Sequence, residues 1–542
     1  MNNKILNTTI SKKPYGTVID IASIQEFVFG SNSLKENIGA SFVIARTIYH
    51  EILPEILVEL SFIPHQDVKS VKQKLDEGSW ENLSDQTNDY FEIGYIGGGN
   101  ALLFFSTQEF AFRFIESFSL GVFERFPSIR IVYGLHRFEN EDFAGDQQKL
   151  FVTLARNKNR DITTTVYPKL GITEECAHTG QAAEYHFCED DRPIASIAKI
   201  KADSAESAQQ QLIGQFDEVL KDHYIFTSEI DQLGQTSGNN FIAVVHIDGN
   251  GIGNRFRKCS SLLELRNLSK AVANANHNAF KETLEDIIAL INSKIFKDDS
   301  SIQLRKKSDR WILPIRPILI GGDDITFVAL GKIGLFAANH FIFHLEEKVL
   351  PDTSRLTACA GVSIVKTRYP FFRAYRIADE LTRRSKIRSR NNSNRSYLDF
   401  FISESGFSGD LEAINAESGI EGVLHGGPYC VSAGCDRYDA FAHVEEIIEN
   451  IKSWPKNIVY EFRQRLLDSE EKAIHFLNLA RKHQQVVKNP SSPLSLFSLD
   501  TQDSEKKYGK EQIWTDRSTR QKQTYVYDSI SLMNFVVPDI VE

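Results

Sequence analysis

Apolar positions along this chain change period in a repeating order. The run FIAVVHI (241–247) is short, continuous and β-branched, the pattern of a buried strand. From 260 to 295 the spacing turns helical, with Leu262, Leu265, Leu268 and Val272, then Leu284, Ile287, Ile288 and Ile291. RPILI and ITFVAL flank GGDD, which predicts two strands joined at a bend. A helix over 335–349, a strand over 356–366, a helix over 371–389 and a strand at 396–401 complete the unit. The order β-α-β-β-α-β is the split βαβ, ferredoxin-like arrangement, in which the first strand neighbours the hairpin. The same order occurs earlier. TVIDIASIQEF (17–27), YIGGGNALLFF (95–105) and IRIVYGLHRF (129–138) parallel AVVHIDGNGIG (243–253), LIGGDDITFVAL (319–330) and LTACAGVSIVK (356–366). Asp20 pairs with Asp248 at an offset of 228, Gly97 with Gly321 at 224, and Gly134 with Gly361 at 227. Three landmarks holding nearly one offset predict a duplicated unit.

The pattern gives an α+β protein of four regions. Residues 1–150 read as a first, degenerate unit and 236–403 as a second unit carrying GGDD. Between them, 151–235 is a small domain bearing Cys176, His178, His186 and Cys188, followed by a polar, helix-favouring stretch. Residues 404–542 read as a helical C-terminal domain, notably over 437–454 and 456–487, with a polar loop or disordered connection near 488–522.

Composition narrows the class. At about 150 residues per domain, 542 residues predict three to four domains. No apolar run approaches the ~18 residues of a membrane span. The N-terminal MNNKILNTTISKKPYG lacks the apolar core of a signal peptide, and six cysteines are too sparse for a disulfide scaffold. Together these predict a cytoplasmic protein with unpaired, structural cysteines at 259, 359, 430 and 435. The formal charge of −10 excludes a uniformly basic nucleic-acid coat, yet Lys366–Arg395 holds ten Lys/Arg and two acids, +8.

That basic run lies beside the sharpest candidate chemistry. Asp248 ends the first strand of the second unit, and Asp323 and Asp324 sit at the hairpin opposite. Hard divalent cations are held by carboxylates, and phosphoryl transfer uses such cations between phosphate oxygens. Asp323 is the more direct candidate ligand, with Asp324 behind it. Gly249, Gly321 and Gly322 allow close approach of a nucleotide, the last two through a tight bend. Lys386 is the candidate for contacting a triphosphate. Taken alone, GGDD would be ordinary turn chemistry; the matching Asp248 makes it a site. In the first unit Gly99 and Asn100 stand where Asp323 and Asp324 stand, so that copy should be catalytically silent. Cys176, His178, His186 and Cys188 have ligand types suited to Zn²⁺ but not its usual spacing, and read rather as an unliganded loop. His246 reads as a satisfied core histidine.

These residues also carry a family resemblance. IQEFVFGSNSLKENIGAS, IGGGN, HIDGNGIG, IGGDD, ACAGVSIVKTRYPFFRAYRIADELTRRSK and NRSYLDF resemble the large polymerase-like subunit of type III CRISPR effector complexes, over about 20–150 and 170–402. The resemblance implies two tandem palm (nucleotide cyclase-like) domains, an intervening cysteine-bearing domain and a helical C-terminal domain. It implies a GGDD palm that joins ATP into cyclic oligoadenylate using Mg²⁺ or Mn²⁺, with Asp248, Asp323 and Asp324 at the metal positions and Lys386 after the palm helix. Many such subunits begin with an HD nuclease domain; here the first palm comes directly, so DNA cleavage is not expected. The reduced cysteine segment argues against structural zinc. Nucleoside triphosphates are the expected partners, with RNA, other complex subunits and a second copy of the chain left open. Two alternatives stand beside the enzyme: a non-catalytic scaffold or nucleotide sensor within a CRISPR ribonucleoprotein, and a dinucleotide cyclase of the GGDEF kind.

Overall fold

The computed structural model describes residues 12–62, 67–76, 90–139, 142–160, 171–179, 181–186, 192–236, 238–352, 354–392, 394–403, 425–436, 439–452, 454–487, 515–516, 522–523 and 525–537. It is a mixed α+β structure. The first unit runs β1 (Tyr15–Ala22), α1 (Ile24–Phe29), α2 (Leu34–Phe42), β2 (Phe91–Gly97), β3 (Asn100–Phe105), α3 (Gln108–Arg125), β4 (Arg130–Arg137) and α4 (Phe143–Lys158). After α5 (Ser196–Gln215) the second runs β5 (Phe241–Gly249), α6 (Ile252–Lys258), α7 (Leu262–Asn292), β6 (Ile315–Ile320), β7 (Asp324–Leu330), α8 (Gly334–Glu347), β8 (Ala358–Lys366), α9 (Phe371–Asn391) and β9 (Tyr397–Ile402). The first sheet has the order β2-β3-β1-β4, and the second repeats it as β6-β7-β5-β8 before adding β9 and β10 (Tyr429–Cys430). Both chains of elements therefore thread one topology.

The strands of the second sheet read as apolar runs because both faces are covered. Ala243, Val245 and Ile247 face α7 and α8, while Ile242 and Val244 pack with Phe371, Ala374 and Tyr375 of α9 and with Ile19, Ile21 and Leu103 of the first sheet. The Gly134/Gly361 landmark has a steric cause. A Cβ on Gly361 would lie 2.0 Å from the Ala378 carbonyl of α9, and one on Gly134 would lie 2.8 Å from the Leu150 carbonyl of α4. In each unit the helix after the fourth strand crosses that strand at a glycine. α4 thus runs across residue 150 and belongs with the first sheet.

The two units contact reciprocally. α2 of the first packs on β6 of the second, and α7 of the second packs on β2 of the first; likewise α1 meets α9 and α6 meets α4. α5 of the intervening segment crosses α2 at Gly39, where a Cβ would overlap the Lys201 carbonyl.

The C-terminal region contributes α10 (Phe441–Lys452), α11 (Lys456–Asp468), α12 (Glu470–Val487) and α13 (Tyr525–Leu532). The helical pattern predicted over 456–487 breaks at Ser469, whose extended backbone (φ −171°, ψ 156°) ends α11 and whose hydroxyl accepts the Lys472 N–H. Most of the polar stretch 488–522 lies outside the described residues. Cys430 and Cys435, expected to be unpaired, are joined by a disulfide with Cα atoms 6.2 Å apart. Their sequence separation of five let the intervening turn bring them together, which spacing alone did not reveal.

A buried charge cluster ties α13 to the second sheet. His425 meets Asp399 of β9 at 2.7 Å and Asp528 of α13 at 3.0 Å, and Tyr429 donates to Asp528 at 2.5 Å. Burial alone would lower the His425 pKa, but Asp528 and Asp399 outweigh it and raise it to about 10. A raised folded pKa stabilises below the unfolded value of about 6.5 and loses that contribution as pH climbs through the folded value. Unfolding midpoints should therefore fall between pH 6.5 and about 10 for this reason. An Asp528→Asn chain should show a shallower fall over that window; an unchanged slope would remove His425 as its source.

Candidate functional site

The acids converge because the strands are in register. Asp248 on β5 pairs directly with Asp324, the first residue of β7, so both side chains leave the same face of the sheet. Asp323 lies in the bend just before. Its carbonyl accepts the Gly249 N–H at 2.8 Å, while Gly321 N–H donates to the Asp324 carbonyl at 2.8 Å. From α7, the Asn276 side-chain amide donates to the Gly322 carbonyl at 2.6 Å and pins the bend from behind.

Lys386 arrives from the other side of the sheet. Helix α9 is registered on the strands by Thr382, whose hydroxyl donates to the His246 carbonyl at 2.9 Å, and by Ser385, which donates to Ala360 O at 3.1 Å. One turn on, the Lys386 ammonium pairs with the Asp248 carboxylate and donates to Gly249 O at 3.3 Å. The structure thus places Lys386 on Asp248, as its counter-ion. The rest of the basic run is partly engaged within the chain: Arg384 with Asp399 at 3.4 Å, Arg388 with Asp439 at 2.9 Å and Arg383 with Asp379 at 3.5 Å. His246 is buried, with Nδ1 2.9 Å from the Thr326 hydroxyl.

Three carboxylates share one lysine here. Burial raises the Asp323 pKa, and Asp248 raises it further against the opposing pull of Lys386. Asp324 is pushed up to about 7 by burial, then by Asp323 and Asp248. Hard oxygen donors that destabilise one another's charge form a donor set that fits a divalent cation. Their ligand atoms are more widely spaced than those of a closed metal cluster. Among the described residues, sets of three His, Cys, Asp or Glu ligand atoms within 4.8 Å of one another occur on α7 and α8 and do not include these aspartates.

The glycines act differently from the expectation. Gly321 and Gly322 are not in the left-handed region, so the bend does not need glycine for its backbone angles. A Cβ on Gly321 would instead stand 2.0 Å from Asp324 Oδ1, whereas one on Gly322 would meet nothing within 4 Å. Gly321→Ala should therefore displace the Asp324 carboxylate and cut any activity of this site at least about tenfold, a shift of 1.4 kcal/mol in barrier, while Gly322→Ala keeps it. Equal rates for the two variants would refute that assignment.

The first unit has the strand acid and the lysine but not the hairpin acids. Asp20 pairs in register with Asn100, as Asp248 does with Asp324. Lys158 at the end of α4 sits 2.6 Å from Asp20, matching Lys386 on Asp248. Sequence reasoning missed Lys158, although it precedes Lys386 by 228, the offset between Asp20 and Asp248. Its hairpin does use left-handed glycines, Gly98 (φ 60°) and Gly99 (φ 76°).

The Cys/His segment does not assemble a metal set among the described residues. His178 turns its ring onto buried Glu36 of α2, His186 lies 3.3 Å from Glu174 at the surface, and Cys176 is buried; Cys188 lies outside the described residues. The His178 imidazole is paired instead with a carboxylate supplied by another element, Glu36 of α2.

No protein-family model matches the chain, and no curated protein matches it. Solved structures do. The Csm1–Csm4 cassette in complex with pppApApA matches with a TM-score of 0.54 at 12% identity, covering 96% of this chain and 69% of that one. The cassette in complex with cA3 matches at 0.52 and 12%, with the same coverage. Csm1 in T. onnurineus matches at 0.50 and 14%, again over 96% and 69%. No described helix is long and apolar enough to cross a membrane. Over nearly its whole length the chain has the fold of Csm1, the Cas10 subunit of type III CRISPR Csm complexes.

Proposed function

We infer that this chain is a metal-dependent nucleotidyltransferase that joins nucleoside triphosphates, ATP foremost, into cyclic oligoadenylate signals within a CRISPR-type antiviral response. On this reading the two sheets are tandem ferredoxin-like palms, the second working and the first supporting. The observation that carries it is the register of Asp248 with Asp324 at one sheet end, with Asp323 in the adjoining bend and Lys386 beside them. The fold neighbours add support, since Csm1–Csm4 cassettes hold cA4, cA3, AMPPNP and one ATP.

Held by Asp248, Asp323 and Asp324, Mg²⁺ or Mn²⁺ would supply the positive charge that steadies phosphate oxygens during phosphoryl transfer. The chain's own residues do the positioning. Lys386 adds a cationic head where a triphosphate would lie against Gly249. The bend at Gly322 faces open space, with room for a nucleotide even beside a Cβ. In the first unit a lone Asp20, already neutralised by Lys158 beside Asn100, makes no second reaction centre. Other complex subunits and RNA are the partners this role calls for.

The test is to incubate purified chain with each triphosphate and Mg²⁺ or Mn²⁺, with and without RNA, and to identify products by mass spectrometry. Cyclic oligoadenylate from ATP is the expected result. No product under any of these conditions would sink the enzyme and leave a scaffold.

A further inference from the structure

α7 and α8 lie side by side on one face of the second sheet, and each turns two donors toward the other. Glu282 and Asp286 are four apart on α7, and His340 and His344 are four apart on α8, so each pair occupies one helix face. Asp286 Oδ2 lies 2.7 Å from His340 Nδ1 and 2.6 Å from His344 Nε2. These three ligand atoms stand within 4.8 Å of one another. The remaining nitrogen of His344, Nδ1, faces Glu282 Oε2 at 3.3 Å, and Lys348 holds both Glu282 oxygens at 2.6 Å. Phe336 stacks on the His340 ring at 3.9 Å and sets its orientation. The four side chains are 15–34% exposed, sheltered yet reachable from solvent.

Two imidazoles and one carboxylate are a ligand set for a borderline divalent transition cation, with Zn²⁺ as the type; Mg²⁺ and Ca²⁺ prefer oxygen alone. The geometry points to such a site, with His340 Nδ1, His344 Nε2 and Asp286 as ligands and Glu282 accepting the His344 Nδ1–H. An outer carboxylate of this kind fixes the tautomer of a metal-bound imidazole and raises its basicity. A salt-bridge cluster alone would account for the pairing on Asp286. Glu282 at the opposite nitrogen of His344 suits either a protonated imidazole or a metal-bound one, and titration with Zn²⁺ separates the two. The site is separate from the aspartates of the bend and from the Cys176 segment. Its consequence is mechanical. α7 also carries Asn276, which pins the Gly322 carbonyl, and Arg266, which grips the first unit, so a cation joining α7 to α8 staples the support behind the bend.

The test uses the full chain carrying Asp323→Ala and Asp324→Ala, stripped with chelator and titrated with Zn²⁺. Binding at the bend is thereby removed, and this inference fails or holds independently of the proposed activity. The expected result is one Zn²⁺ per chain, a raised unfolding temperature, and a visible absorption band when Co²⁺ replaces Zn²⁺. Adding His340→Gln and His344→Gln, which preserve hydrogen bonding to Asp286, should weaken binding at least about tenfold and abolish the Co²⁺ band and the thermal shift. Adding Cys176→Ser instead should leave all three readouts unchanged. Absent stoichiometric binding, or binding indifferent to the glutamine pair, would overturn the site.

Discussion

A chain carrying Asp323→Ala and Asp324→Ala should make no detectable oligoadenylate while unfolding at or above the temperature of the parent. Removing a single preorganised charge-stabilising group from an active site costs about 10²–10³ in rate; removing two carboxylates of three should cost at least that. The stability half follows from the same geometry. In metal-free buffer both carboxyls are held above their usual range by burial and by neighbouring carboxylates, so ionising them opposes folding. Their loss leaves Asp248 with Lys386, a pair complete in itself. Initial rates by mass spectrometry and a thermal scan without metal read the two halves separately. A large drop in unfolding temperature would mean the acids serve the fold. Product formed within tenfold of the parent would mean the chemistry lies elsewhere.

Arg266→Ala should cost about 3–5 kcal/mol of stability, the range for breaking a buried ion pair from one side. Arg266 is 5% exposed and Glu92 7%. The guanidinium of α7 donates to Glu92 Oε1 at 2.8 Å and to the Gly94 carbonyl at 3.1 Å, and also to Ile93 O, all on β2 of the other unit. Alanine leaves Glu92 buried with Lys13, 3.8 Å away, as its remaining cation among the described residues. The denaturant midpoint should fall accordingly. A double change, Arg266→Met with Glu92→Gln, should recover part of the loss, because the Glu92 carboxylate is then no longer buried without its guanidinium. A loss under about 1 kcal/mol for the single variant would place the pair among screened surface bridges.

Much of this arrangement is legible in the sequence, and the reasons differ by feature. The duplicated units show because strand burial imposes β-branched runs and because helix–strand crossing demands glycine at 134 and 361. Asp248 and Asp324 are legible as a pair because strand order fixes which ends are neighbours. Lys158 was hidden since it stands in no motif; only the offset marks it. His340 and His344 sit on a helix whose apolar residues dominate its pattern, and their meaning depends on Glu282 and Asp286, more than fifty residues away. The same holds for Arg266 with Glu92 and for His178 with Glu36. Periodicity reports which face is covered; it carries no information on which charged residue of another element will arrive there.

The reciprocal contacts between the units have a consequence for how such a molecule can change. They are the contacts of a two-fold dimer written into one chain: α2 on β6 mirrors α7 on β2. In a true dimer of identical chains every substitution falls on both copies, so losing acids from one hairpin would lose them from the other. Fusion removes that constraint. Gly99 and Asn100 can stand where Asp323 and Asp324 stand in the other half, while the Asp20–Lys158 pair and the shared apolar contacts stay in place. One half can then differ from the other, and the chain gains a directionality that no symmetric pair could have.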